Sequence, residues 1–150
     1  MEIERKYLIE KNNIPFDYTQ YPCRHIEQGY LCTEPVVRIR HDNDYYVLTY
    51  KSKGLMVREE YNLPLTESSY AHLKNKVDGR LIIKDRYVIP LDNKLFIELD
   101  IFSGDLSGLV LAEVEFPDVA SAEGFLPPEW FGEDVSNIST YHNSNLSKIN

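Results

Sequence analysis

The sequence predicts a mainly β fold with a few short helices, closed into an eight-stranded antiparallel barrel. Three observations predict it. Polar and apolar residues alternate with period two along most of the chain. About eight strand-length segments are separated by turn residues. In almost every segment the charged residues recur at every second position. That many strands in so short a chain suggest closure, with a sandwich as the alternative architecture.

The elements follow in order. Residues 2–9 form a first strand, broken by Asn12-Asn13-Ile14-Pro15, and a loop or short helix runs to about Tyr21. Residues 24–31 form a second strand. Residues 36–41 and 45–53 read as a hairpin around Asp42-Asn43-Asp44. Gly54 marks a turn before a strand over 56–63. Thr66-Glu67-Ser68-Ser69 resembles a helix start, and Tyr70, Leu73 and Val77 then fall at helical spacing. Strands over 81–89, 95–102 and 109–116 complete the set. A helical turn is expected over 121–124. The polar tail from Ser139, carrying Leu146 and Ile149, predicts a short terminal helix.

Side chains alternate faces along a strand, so i and i+2 point the same way. Glu2, Glu4 and Lys6 therefore share a face, as do Arg38 and Arg40, and Thr49, Lys51 and Lys53. Arg58, Glu60 and Asn62 share another, as do Lys84 and Arg86. Glu98 and Asp100 oppose Leu95, Ile97, Leu99 and Ile101. Glu113 and Glu115 oppose Val110, Ala112, Val114 and Phe116. A solvated sheet surface explains any one such strand. For a closed barrel the choice is between an apolar core with a charged exterior and a polar tunnel whose apolar faces are covered by the 70–77 helix, loops and a partner chain.

The distribution of sign favours the tunnel. Acids gather on the first strand and the last two, and bases on 38–53 and 84–86. If first and last strands meet, Glu2 and Glu4 face Glu113 and Glu115, with Asp100 one strand further. Like charges at ~4 Å repel by about 4 kcal/mol at an effective dielectric of 20. A bound Mg²⁺ or Mn²⁺ relieves that repulsion, because hard cations take carboxylate oxygens. The facing Arg and Lys suit phosphate oxygens.

The whole chain bounds the rest. Its 150 residues fit one domain over 1–150, and 43% hydrophobic with 27% charged residues reads as globular. A net charge of -8 argues against nucleic-acid binding, which wants a basic surface. No run approaches a membrane span, and the charged N-terminus lacks a signal-peptide core, so a cytoplasmic location is expected. Cys23 and Cys32 match no zinc spacing; free thiols are the expectation and a disulfide the alternative.

The ordered motifs resemble the CYTH, or triphosphate tunnel metalloenzyme, superfamily. They are Glu2-Ile3-Glu4-Arg5-Lys6, Arg38-Ile39-Arg40, Lys51-Ser52-Lys53-Gly54, Arg58-Glu59-Glu60, Lys84-Asp85-Arg86, Glu98-Leu99-Asp100 and Glu113-Val114-Glu115. Tyr141-His142-Asn143-Ser144-Asn145 is similar to a C-terminal segment of small bacterial members. The resemblance implies an eight-stranded tunnel, Mg²⁺ or Mn²⁺ dependence, and hydrolysis of a small-molecule triphosphate by a homodimer. It assigns metal binding to Glu2, Glu4, Asp100, Glu113 and Glu115, with Glu60 toward a second metal. It assigns phosphate binding to Lys6, Arg38, Arg40, Lys51, Lys53, Lys84 and Arg86, with Arg58 in the wall. Glu2, Glu4, Lys6, Arg58, Glu60 and Lys84 are the residues expected to carry catalysis. Asn62 stands where many members carry an acid.

Inorganic tripolyphosphate is the expected substrate, since no insert for a base or ribose is visible. A class IV adenylyl cyclase, a thiamine triphosphatase and a non-catalytic polyphosphate- or nucleotide-binding module are the alternatives. His25, His41, His72 and His142 are expected at the surface or in loops, Trp130 in loop packing, and Tyr30 either at the tunnel mouth or in the core.

Overall fold

The computed structural model describes residues 1–148. Ile149, part of the expected terminal helix, lies outside them. The described strands are β1 (Glu2–Leu8), β2 (Cys23–Thr33), β3 (Val36–Asp42), β4 (Tyr45–Lys51), β5 (Val57–Arg58), β6 (Glu60–Pro64), β7 (Asp78–Pro90), β8 (Phe96–Ser103) and β9 (Val110–Glu115). They form one antiparallel sheet in the order β5-β1-β9-β8-β7-β2-β3-β4-β6.

β5 and β6 lie at opposite ends of that order, yet only Glu59 separates them in the chain. Arg58 sits opposite Glu2, and Glu60 opposite Lys51. The run 57–64 thus joins the two sheet edges and closes the barrel, removing unpaired strand edges. The expected strand over 56–63 is this interrupted one, which accounts for nine strands where eight were expected. β1 also pairs with β9, so the first strand meets the last: Glu4 opposes Glu115 and Lys6 opposes Glu113.

Helix α1 (Glu67–Lys74) starts on a capping box between Thr66 and Ser69. It stops short of the expected Val77 because β7 begins at Asp78, eight residues after Tyr70. Val77 instead packs over Gly29, where an added Cβ would lie 2.7 Å from its Cγ1. α2 (Val119–Glu123) and α3 (Asn143–Leu146) are short.

The outward apolar face is covered mainly by the chain after β9. Ile3, Tyr7, Ile97, Leu99, Ala112 and Val114 pack with Phe116, Ala122 and Phe131, and with Phe16, Phe125 and Trp130. Arg5 fastens this cover, with Nη2 2.6 Å from Asp134 and Nη1 donating to the carbonyls of Ala122 and Phe125. The buried side chain of α1 among the described residues is Tyr70, which packs on His41 and Tyr46. Of the expected cover, the helix supplies a smaller share over β3 and β4, and the loops, chiefly residues 116–135, the larger.

Each inward row changes character along its length. Glu2, Glu4 and Lys6 are followed by Leu8; Glu115 and Glu113 by Leu111; Glu98 and Asp100 by Phe102; Arg86 and Lys84 by Ile82. The apolar ends meet Tyr30, Val36, Val135 and Leu146 in a second core. One half of the interior is therefore a packed plug and the other half a charged cavity. Both Cys23 and Cys32 are free thiols.

Candidate active site

The charged half encloses a cavity of about 290 Å³. Its wall contains Glu2, Glu4, Lys6, Arg38, Arg40, Lys51, Arg58, Glu60, Arg86, Glu113 and Glu115, all anticipated from the sequence. Three anticipated residues stand elsewhere. Lys84 and Asp100 are fully buried behind the wall, and Lys53 faces a neighbouring groove. β4 ends at Lys51, so the alternation that would bring Lys53 inward stops one step too soon.

The ionic pairing divides the cavity into three zones. In the central zone charges satisfy one another. Arg86 grips Asp100 through Nε and Nη2 at 2.7 and 2.9 Å and reaches Glu113 at 3.4 Å. Lys84 Nζ lies 2.8 Å from Asp100 Oδ2, without hydrogen-bond alignment. Lys6 lies 3.3 Å from Glu113 and donates to the Tyr141 carbonyl at 3.1 Å. Burial opposes ionisation of Glu113, but Lys6 and Arg86 outweigh it and hold its carboxyl well below the usual range. Burial draws the Lys84 ammonium down to about 7, against the pull of Asp100.

The second zone is acidic. Glu2 is engaged by Lys51 at 3.0 Å and Arg58 at 3.5 Å. Glu4 and Glu115, directly opposed across β1 and β9, have no ion pair among the described residues. Burial, then Glu113 and Glu2, push the Glu4 carboxyl up to about 7. Burial, then Glu98 and Glu4, raise Glu115.

The third zone is basic. Arg38 and Arg40 are buried and have no carboxylate partner among the described residues. Arg40 Nε donates to Gln28 Oε1 at 2.7 Å; Arg38 Nη2 reaches Thr49 Oγ1 at 3.3 Å and its Nε has no partner. Burial, then Arg38 and Arg86, draw the Arg40 guanidinium down to about 9. A hydrogen-bond chain leads on from here: Thr49 Oγ1 donates to Asn62 Oδ1 at 2.6 Å, and Asn62 Nδ2 donates to Glu60 Oε1 at 3.0 Å.

Among the described residues no three acidic, His or Cys side chains converge into a ready cation cage. The chemistry of the donors still fits a divalent cation at Glu4 and Glu115, two adjacent carboxylates with raised pKa and no cationic partner. Glu2 and Glu113 are near enough to raise the Glu4 pKa, but lysines and arginines hold both. Asp100 is bound into the Arg86–Lys84 cluster.

Several lining residues had no role assigned from the sequence. Arg24, Asp42 and Glu98 lie on the wall, with Arg24 3.4 Å from Asp42 and 3.5 Å from Glu98. Arg24 shares its face with Ile26 and Gln28, so its strand lacks a repeated-charge signal, whereas the Glu98-x-Asp100 alternation did carry one. His142, expected at the surface or in a loop, lies in the connection before α3 but is buried and lines the cavity. Its ring Nε2 is 3.0 Å from the Ser136 carbonyl, and burial, then Lys6, hold its pKa down at about 4. Tyr30 lines the cavity and belongs to the plug as well.

Acids without ion pairs and arginines without carboxylate partners thus line one cavity inside a closed antiparallel barrel, among the described residues. The CYTH domain profile matches residues 1–121, and this chain belongs to the CYTH domain family. It is 36% identical over 149 residues to an inorganic triphosphatase of Nitrosomonas europaea, covering 97% of this chain and 96% of the relative. It is 36% identical over 126 residues to an inorganic triphosphatase of Acetivibrio thermocellus, covering 81% and 78%. The crystal structure of an inorganic triphosphatase superposes with a TM-score of 0.73 at 34% identity, over 100% of this chain and 96% of that one. A Hippeastrum protein described as an adenylyl cyclase with dominant triphosphatase activity matches at TM-score 0.60 and 15% identity, over 83% of each chain, which shows the fold alone.

Proposed function

We propose that this chain is a metal-dependent triphosphatase that hydrolyses inorganic tripolyphosphate to pyrophosphate and orthophosphate. The observation that carries this reading is the pairing pattern of the cavity. Arg38 and Arg40 lack acids, and Glu4 and Glu115 lack bases, in one space of about 290 Å³. Each set calls for an ion of opposite sign, and a metal-bound phosphate chain supplies both. The similarity to inorganic triphosphatases over nearly the whole chain points the same way.

Arg38 and Arg40 bind phosphate oxygens and, with Lys6, Lys51, Arg58 and Arg86, hold the chain in line. Charge growing on the equatorial oxygens is stabilised by these fixed cations in a confined site. Glu4 and Glu115, with Glu2 and Glu113, would hold Mg²⁺ or Mn²⁺, and Glu60, 3.7 Å from Lys51, would serve a second ion. Once bound, such an ion would supply neutralisation of phosphate oxygens and a more acidic water. The water oxygen bonds to the terminal phosphorus as the bridging P–O bond breaks, and pyrophosphate leaves with the released water proton on its departing oxygen. Lys84 acts as a positioning residue, since it holds Asp100, which holds Arg86.

The same reading takes residues 1–150 as one domain, acting in the cytoplasm as a homodimer without nucleic-acid or membrane partners. No helix is long and apolar enough to cross a membrane among the described residues. The test is a substrate panel: tripolyphosphate, ATP and thiamine triphosphate with Mg²⁺ or Mn²⁺, reading phosphate and cyclic AMP. The expected result is phosphate release, fastest from tripolyphosphate. Cyclic AMP without phosphate overturns the proposal in favour of a cyclase, and binding without turnover in favour of a binding module.

A further inference from the structure

Lys53 carries the phosphate-binding signature of its neighbour Lys51 but does not reach the cavity. It faces a separate groove of about 290 Å³, between the 52–58 turn, the β2–β3 turn and the C-terminal tail. Ser52, Lys53, Arg58, Ser139, His142 and Lys148 are among its lining residues, and Glu34 is its one carboxylate among the described residues. Val36, Arg58 and His142 line this groove and the central cavity alike, so three side chains form the shared wall.

The charge of the groove runs against that of the molecule. Among the described residues three cations and one acid line it, in a chain of net charge -8. Lys53 and Lys148 are exposed and make no ion pair among the described residues. Arg58, with its side chain only 10% exposed, spends one amino group on Glu2 at 3.5 Å and leaves Nε without a partner. On an acidic surface, a concave patch holding two unpaired lysines and a partly engaged guanidinium concentrates small anions locally. Lysine ammoniums, a guanidinium and serine hydroxyls are donors suited to the oxygens of a tetrahedral oxyanion.

We propose that this groove is a second anion site, taking an inorganic oxyanion of the orthophosphate class, placed behind the Arg58–His142 wall. It stands on charge and placement and not on the hydrolytic reading. If that reading holds as well, the ligand has the chemistry of a product, and the two sites share Arg58.

The test uses the full chain, ¹⁵N-labelled, in EDTA so that no turnover intervenes, titrated with sodium orthophosphate at constant ionic strength. Backbone amides of Ser52, Lys53, Gly54 and Leu55, and of Ser139 and Asn145, are expected to shift along one saturating curve. Amides of Arg38 and Arg40 are expected to follow a curve of their own. Lys53→Glu combined with Lys148→Glu alters two exposed side chains. It should weaken the groove curve at least tenfold and leave the cavity curve within twofold, with Lys53→Gln intermediate. Groove amides that shift without saturating, or that saturate equally in the charge-reversed protein, overturn the proposal. Because no substrate is hydrolysed, these outcomes are independent of the substrate panel.

Discussion

The acidic and the basic zones of the cavity differ in how the barrel supports them. On the acidic side, β1, β8 and β9 bring six carboxylates together, and lysines and arginines neutralise Glu2, Glu98, Asp100 and Glu113. Only Glu4 and Glu115 remain over. On the basic side, Arg38 and Arg40 are set on β3 with nothing but neutral partners, Gln28 and Thr49. The acidic side is thus a mostly self-neutralised frame with one open pole, whereas the basic side is open throughout. Buried charges without partners are costly and persist where a ligand completes them.

Removing the open basic pole should have the largest effect. Arg38→Ala with Arg40→Ala is expected to lower kcat/KM for tripolyphosphate about 10³-fold, measured by phosphate release, with the metal dependence unchanged. An effect below tenfold would place the phosphates elsewhere.

Glu4→Gln should cost about 10²-fold in activity, on the scale of losing one preorganised electrostatic group in an active site. It should also reveal the sign of the open acidic pole. The Glu4 carboxyl is raised to about 7, so in metal-free protein its contribution is present below its ordinary value of 4.5 and lost as pH rises through 7. Melting in EDTA should show wild type losing up to about 3 kcal/mol relative to Glu4→Gln between pH 4.5 and pH 8. Mg²⁺ at pH 8 should restore stability to wild type and leave the variant unmoved. Parallel stability profiles would show that Glu4 is not strained.

The central zone should respond as structure first. Lys84→Met leaves Asp100 with one cationic partner and is expected to destabilise the fold by about 3 kcal/mol in urea denaturation. Activity should fall with it, since Arg86 loses its backing. Stability within 0.5 kcal/mol of wild type, on the order expected of a surface change, would show that the cluster does not bear on the fold. The smallest effect belongs to the link between poles. Thr49→Val cuts the chain from Arg38 to Glu60, costs about 1 kcal/mol for one hydrogen bond, and should raise KM several-fold with kcat held, whereas a general packing defect would move melting temperature alone.

Much of the frame was legible in the sequence because period-two alternation is a local property. Every strand was located, and the meeting of Glu4 with Glu115 follows from closing first strand on last. The alternation does not carry chain breaks. Glu59 interrupts the closing strand, and the end of β4 at Lys51 sends Lys53 into the groove. Nor does it carry pairing between distant strands, so Asp100 looked like a free metal ligand until Arg86 and Lys84 were seen to occupy it. His142 was invisible for a third reason: its burial depends on the tail folding back under the barrel, where Ser136 and Lys6 meet it, and no local pattern encodes that return.

The central claim is that one cavity completes itself with a cation and a phosphate chain together and hydrolyses that chain. Phosphorus-31 NMR of tripolyphosphate incubated with the full chain tests it most directly, with Mg²⁺ and in parallel with excess EDTA. The expected spectrum loses tripolyphosphate and gains pyrophosphate and orthophosphate in equal amounts with Mg²⁺, and stays constant in EDTA. Tripolyphosphate persisting in the Mg²⁺ sample, or decaying equally in EDTA, would contradict it.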